Sequence, residues 1–318
     1  MLQQIIDWFF SSVLRLNPES KTVEVLNYFL YDSIKIILML FLMIAIVGFI
    51  RTYLPYKKVK SWISNKNKLF SHAAASLFGA ITPFCSCSSI PIFFSFIRGG
   101  IPLGVSFSFL ITSPLVNEYL VVLMLGFFGW KITLAYVLAG IIGGIFLGVI
   151  LGRMNLDRHL LKDITSSDIP KLKSFSNLKS RINYGMKEAW SITKKLYLWI
   201  LLGVAVGAVI HNYVPAELIT RLINKGGIFS VPLATLVGVP LYGSCAAIVP
   251  IAVALFDKGV PLGTAIAFMM GMAALSFPEA ILLRRIMNLK LILIFFGVVT
   301  AGIIIIGYLL NFLQVYLI

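Results

Sequence analysis

Acidic side chains are scarce in this 318-residue sequence, which has 12 Asp and Glu against 27 Lys and Arg and only 12% charged residues. Soluble domains carry about twice that share, roughly 25%. With 59% of residues in the set AVILMFWYC, a water-soluble body this size could not hide its apolar surface, so an integral membrane protein is expected. Cysteine and histidine are also sparse, three of each. An odd number of cysteines does not make a disulfide framework. No four-ligand set has the spacing of a structural zinc site, so no metal or cofactor is expected. A Walker-type phosphate loop is missing, which favours an ion or proton gradient over ATP hydrolysis. The ten-residue alternation of an outer-membrane barrel is missing as well. At the N-terminus there is neither the basic leader nor the small-residue cleavage site of a signal peptide.

The basic surplus does not point to nucleic acid, because its members flank apolar runs, as the positive-inside bias produces. Six basic residues and no acid lie in 51–68, and 153–195 holds ten more. Eight runs have the length and apolarity of a helical span: 28–50, 69–97, 101–127, 132–152, 195–214, 228–256, 260–283 and 289–313. The runs 69–97 and 228–256 are too long for one simple crossing and are broken by Thr82-Pro83-Phe84-Cys85-Ser86-Cys87-Ser88-Ser89-Ile90-Pro91 and by Pro240-Leu241-Tyr242-Gly243-Ser244-Cys245 through Pro250. Proline removes a helix donor and clashes with the preceding turn.

The two broken stretches are related. Pro91 matches Pro250, Gly100 matches Gly259, and Ile101-Pro102-Leu103-Gly104 matches Val260-Pro261-Leu262-Gly263, all 159 residues apart. Ser113-Pro114 is aligned with Ser276-Phe277-Pro278 after a small insertion, with Glu118 and Glu279 nearby. A tandem duplication of this kind sets the fold. If all eight runs cross, the basic segments 51–68 and 153–194 fall on opposite faces. If 69–97 and 228–256 are instead re-entrant hairpins, these segments, Arg98 and Arg284-Arg285-Lys290 all fall on one side and the halves acquire opposite orientation, a recurring transporter plan. A rival with the same charge parity splits 101–127 at Ser113-Pro114.

The expected fold is therefore an all-α polytopic membrane protein of two inverted repeats, each with transmembrane helices and one broken, re-entrant hairpin. Residues 1–27 are read as an interfacial amphipathic helix, 28–152 as the first repeat, 153–194 as a basic cytoplasmic linker with an amphipathic helix over 177–190, and 195–318 as the second repeat. Gly140, Gly144, Gly148 and Gly152 have the spacing of close helix packing. His72 and His211 are read as packed or interfacial, and Asp257-Lys258 as a turn.

Non-helical backbone at membrane depth is tolerated only inside protein or beside a wet cavity. Thr82, Ser86 and the thiols of Cys85 and Cys87 lie at such a break, and Ser244-Cys245 lie at its sister. Two thiols one residue apart suit a soft, thiophilic ligand, with plain packing of small residues as the alternative. Carboxylates deep in apolar sequence usually face a bundle interior or a water path. That is the reading for Glu118, beside Asn117, while Glu279 stands between such a role and an ion pair with Arg284-Arg285.

From Thr82 to Pro91, and from about residue 30 to the C-terminus including Gly259–Gly263 and Ser276–Glu279, the sequence resembles the large prokaryotic predicted-permease family, which includes ArsP-type organoarsenical efflux permeases. The resemblance implies a permease of the inner (cytoplasmic) membrane with Cys85, Cys87 and Cys245 as candidate thiol ligands for a small-molecule or metalloid substrate. The site set is thus Cys85, Ser86, Cys87, Thr82, Asn117, Glu118, Ser244, Cys245 and Glu279, with no catalytic residue. The expected partners are the lipid bilayer and the solute; proton coupling and self-association stay open. Two other readings are a membrane thiol–disulfide oxidoreductase cycling Cys85 and Cys87, and a transport subunit that needs an extracytoplasmic partner.

Overall fold

The computed structural model describes residues 21–52, 68–82, 86–160, 177–213, 223, 226–239, 245–284 and 286–317. Of the helix expected at 1–27, residues 1–20 lie outside the described residues and 21–27 belong to the first long helix; Pro83 to Cys85, Pro240 to Ser244 and linker residues 161–176 also lie outside the described residues. Within them the chain is all helical, with one isolated β-bridge between Leu160 and Met287. The α-helices are α1 (Lys21–Arg51), α2 (Lys68–Ile81), α3 (Ser86–Arg98), α4 (Leu103–Leu115), α5 (Glu118–Arg153), α6 (Leu178–Tyr213), α7 (Ser230–Gly238), α8 (Cys245–Asp257), α9 (Leu262–Ala274), α10 (Phe277–Leu283) and α11 (Leu289–Leu317). The stretch 178–194 is continuous with the apolar run that follows it, in one 36-residue helix.

The duplication is visible residue by residue. Helices α3 and α8 have 13 residues each, as do α4 and α9, and all their ends lie 159 positions apart. Between α3 and α4, Gly100 takes φ 73°, and Gly259 takes φ 84° between α8 and α9. In each turn the amide after the glycine reaches back five residues, Ile101 to Phe96 at 3.0 Å and Val260 to Leu255 at 3.1 Å. This is a Schellman end, which needs a left-handed residue, and Asp257-Lys258 sit in it. Pro102 and Pro261 then open the next helices with φ −54°.

Hydrogen bonds fix the direction of each helix. His72 pairs with Ser108 and Ser76 with Thr112, so α2 runs parallel to α4. Ser89 pairs with Ser113 while Phe93 stacks on Phe107 at 5.3 Å, so α3 runs antiparallel to α4. Hence α2 and α3 run antiparallel to each other as the two arms of a helical hairpin. Each arm is only 13 or 14 residues long, about 20 Å of rise, which is too short to cross a bilayer core of about 30 Å.

Helix α5 also doubles back. Its glycines pack against α4 in antiparallel register, Gly140 on Val116, Gly144 on Thr112, Gly148 on Ser108 and Gly152 on Gly104. Glu118 follows Val116 by two residues and so lies at the level of Gly140. The chain between them can return only by turning at Gly129, which has φ 78° and ψ 175°. One short arm, 118–128, therefore prolongs α4 across the break at Val116-Asn117, and one long arm, 130–153, runs back along both. The four-residue glycine spacing serves close packing, as the sequence predicts. In the second half α10 and α11 have the roles of the two arms, with Asn288 at the place of Gly129.

Equivalent helices meet each other. Gly143 of α5 packs on Ile306 of α11, and Gly302 of α11 packs on Leu147 of α5. These are two copies of one contact, and they make the long arm of α5 antiparallel to α11. Helices α1 and α6 are likewise antiparallel: Gly185 abuts Ala45, Phe41 meets Trp190 edge-on, and Arg181 Nη1 donates to Thr52 O at 2.8 Å. Large apolar side chains remain on the outside, among them Phe146, Ile305 and Phe312 with exposures of 63%, 69% and 74%. Both α5 and α11 contain stretches long and apolar enough to cross a membrane.

Candidate functional site

Among the described residues the helices break at two related links, Val116-Asn117 and Leu275-Ser276, while α2 and α3 are separated by 83–85, and α7 and α8 by 240–244, which lie outside the described residues. The start of α3 and the first link lie together, because Ser89 in the second turn of α3 shares a 2.6 Å hydrogen bond with Ser113 near the end of α4, both fully buried. Pro114 stays inside α4, and the carbonyl of Leu115 accepts a hydrogen bond from the buried Tyr136 hydroxyl on the returning arm of α5. Backbone groups freed at membrane depth need partners of this kind.

Asn117 is buried, and its Oδ1 accepts from Tyr119 N at 2.8 Å, capping α5. Glu118 is exposed in the first turn of that helix, a favourable place for a negative charge. Thr82 Oγ1 donates to the carbonyls of Phe78 at 2.7 Å and Gly79 at 3.2 Å, so its proton closes the last turn of α2. Ser86 and Cys87 form the first turn of α3, and Cys245 begins α8 at the place of Ser86; the side chains of these three, all of Cys85 and Ser244, and the side chain of His211 lie outside the described residues. His72 is buried and packed, as the sequence suggests.

Glu279 is 2% exposed in the first turn of α10. The offset of 159 runs unbroken to this point, with Asn117 and Ser276 at the N-caps of α5 and α10. This corrects the alignment of Ser113-Pro114 with Ser276-Phe277-Pro278: no insertion is needed, and Ser113 matches Met272. The two glutamates are therefore not equivalent. Glu118 matches Phe277, and Glu279 stands where the first half has the fully buried Leu120.

Helix contacts also join the two halves. Helix α10, with Glu279, packs on α3, which begins with Ser86 and Cys87. Helix α5 packs on α8, which begins with Cys245, and Phe128 meets Phe256 with ring centroids 5.8 Å apart. Helices α4 and α9 also touch. The helix that follows each half's link thus packs on a hairpin helix of the other half. Sequence reasoning passed over the cross-helix pairs His72–Ser108 and Ser76–Thr112. Their signal was the equal four-residue spacing of 72 and 76 and of 108 and 112.

Compared with known proteins, residues 21–312 match the family ArsP_1, described as predicted permease. The chain belongs to the predicted-permease family. A UPF0718 protein of Methanocaldococcus jannaschii is 21% identical over 309 residues, covering 79% of this chain and 84% of the relative. The UPF0718 protein YcgR of Bacillus subtilis is 22% identical over 203 residues, covering 63% of this chain and 67% of the relative. No solved structure is a significant match. Family membership and the apolar helices make this chain a membrane permease.

Proposed function

We propose that this permease is a secondary transporter that exports a small thiophilic solute, of the trivalent organoarsenical class, across the cytoplasmic membrane down an ion or proton gradient. It acts as a carrier and not as an enzyme. The observation that carries the reading is the packing of the helix after each half's link on a hairpin helix of the other half, α10 on α3 and α5 on α8, where α3 begins within the Cys85-Ser86-Cys87 sequence. Such interrupted helices are where transporters bind substrate and coupling ions. Two thiolates would take two coordination positions of a soft trivalent metalloid, while Asn117, Glu118, Ser244, Cys245 and Glu279 border the path.

An inverted arrangement of the halves is supported by two pairs of equivalent helices, α1 with α6 and α5 with α11, running antiparallel. Charge supports the same topology. Arg181 reaches Thr52 at the end of α1, His159 O accepts from Asn288 N at 3.1 Å, and Gly152 lies beside His72 and Gly104. The ends near Arg98, Arg153 and Arg284 are thereby brought together, and the end of α1 at Arg51 is joined to the start of α6, as expected of basic residues on one cytoplasmic face. Cells expressing Cys85→Ser/Cys87→Ser should lose the resistance to trivalent methylarsenical that wild type confers, at equal protein level in the membrane. Undiminished resistance in the double variant removes the thiols from the mechanism.

A further inference from the structure

The two halves share a backbone plan but place different polar side chains inside it. In the first half a column of polar side chains joins α2, α3 and α4. His72 Nδ1 lies 2.8 Å from Ser108 Oγ, Ser76 Oγ lies 2.7 Å from Thr112 Oγ1, and Ser89 Oγ lies 2.6 Å from Ser113 Oγ. All six residues are buried. Positions 159 further on hold Val231 for His72, Ala267 for Ser108, Gly271 for Thr112, Ile248 for Ser89 and Met272 for Ser113. Only Ser76 has a hydroxyl counterpart, Thr235, whose Oγ1 donates to Val231 O of its own helix at 2.9 Å. Both hairpins pack by close backbone approach, Gly79 on Phe109 O and Gly238 on Phe268 O, and the second half adds one pair of its own, Ser230 Oγ with Thr264 Oγ1 at 3.3 Å, tied to Asn311 of α11; it has no imidazole and no polar pair at the positions of the first half's column.

The column has a direction. At one end His72 lies beside Gly152, next to Arg153 and one turn from Lys68, at the face where the basic segments gather. At the other end Ser89 and Ser113 lie near the start of α3 and the link at Asn117. Between them, His72–Ser108 and Ser76–Thr112 are one helical turn apart, a gap that a single water can span.

We propose that this column is the proton route of the transporter, present in one half only, leading from the cytoplasmic face to the site at the broken helices. It rests on the gradient-driven reading above and names the path the gradient uses. Imidazole takes a proton on one ring nitrogen and releases one from the other. Each hydroxyl accepts a proton on a lone pair and gives up its own, and water completes the gaps. One proton is displaced along the column and nothing is oxidised. Among the described side chains, Arg153 on α5 follows Gly152, which lies beside His72, and α4 has no titratable residue; by sequence Lys68 begins α2 and Arg98 ends α3, and both are basic.

Two measurements test the route. With His159→Gln and His211→Gln in the full chain, ¹⁵N-labelled His72 in nanodiscs should exchange between neutral and protonated forms within about pH 5 to 8, with a midpoint moved by Ser108→Ala. A single neutral state across that range overturns the proposal. In proteoliposomes with trivalent methylarsenical as probe, His72→Gln and Ser76→Ala should cut gradient-driven accumulation about tenfold or more and leave arsenical-for-arsenical exchange within about twofold. Equal loss of both activities, or loss of neither, assigns the column to packing and also overturns it. If wild type moves no arsenical, the cargo reading fails, and the titration still decides the route.

Discussion

Ser89 and Ser113 illustrate how a single hydroxyl is held where lipid would penalise it. Each is the other's partner in a fully buried site, and a buried polar group stripped of its partner costs about 1–3 kcal/mol. Ser89→Ala and Ser113→Ala should each lower thermal stability in detergent, while the double variant should fall short of the summed losses, because the shared hydrogen bond is lost only once. A double-mutant cycle on unfolding midpoints measures that coupling; strict additivity would place the two side chains apart. Glu279 is a second case. It occupies the place that Leu120 fills in the first half, so the duplicated core has exchanged a leucine for an ionisable group at one site only.

At the scale of helices, closeness is set by glycine. A Cβ on Gly104 would fall 2.6 Å from Gly152 Cα, a backbone atom that cannot swing aside, whereas nothing lies within 4 Å of a Cβ on Gly297. Gly104→Ala should therefore destabilise by about 1–3 kcal/mol through overpacking, and Gly297→Ala should stay within about 0.5 kcal/mol, both read as shifts in thermal unfolding. The sequence displayed this packing, because four glycines at four-residue spacing have one economical use. It displayed the turn at Gly100 and its copy at Gly259 for the same reason, through a fixed pattern of Gly and Pro. It misled at the second link. Proline drew the alignment to Ser113-Pro114, yet Pro114 is absorbed inside α4 and the interruption falls three residues later, where Asn117 can cap the next helix. The pair His72–Ser108 was out of sight because it exists only once the hairpin has folded α2 parallel to α4.

For the whole molecule, charge and geometry make one statement about orientation. Single cysteines replacing Trp62, Lys173 and Asn288, in a chain whose three native cysteines are changed to serine, should be labelled by an impermeant maleimide from the same face of sealed vesicles. A cysteine at Lys131, beside the turn at Gly129, should be labelled from the opposite face. Labelling of positions 62 and 173 from different faces would return the chain to parallel repeats. The sequence favoured re-entrant hairpins, with a split of 101–127 as the rival. In the structure α2 and α3 run antiparallel to each other and α4 ends at the link Val116-Asn117, inside the run 101–127.

The paired contacts Gly143–Ile306 and Gly302–Leu147 are one contact written twice. A surface that meets its own copy through a two-fold relation is the isologous interface of a symmetric dimer, here enclosed within a single polypeptide. A half-length chain with that surface would already possess the face it needs to join a second copy of itself. Fusion of the two copies then allows what a true homodimer cannot do: each face keeps its fit while the interiors diverge. Imidazole and hydroxyls on one side, and valine, alanine and methionine on the other, are that divergence.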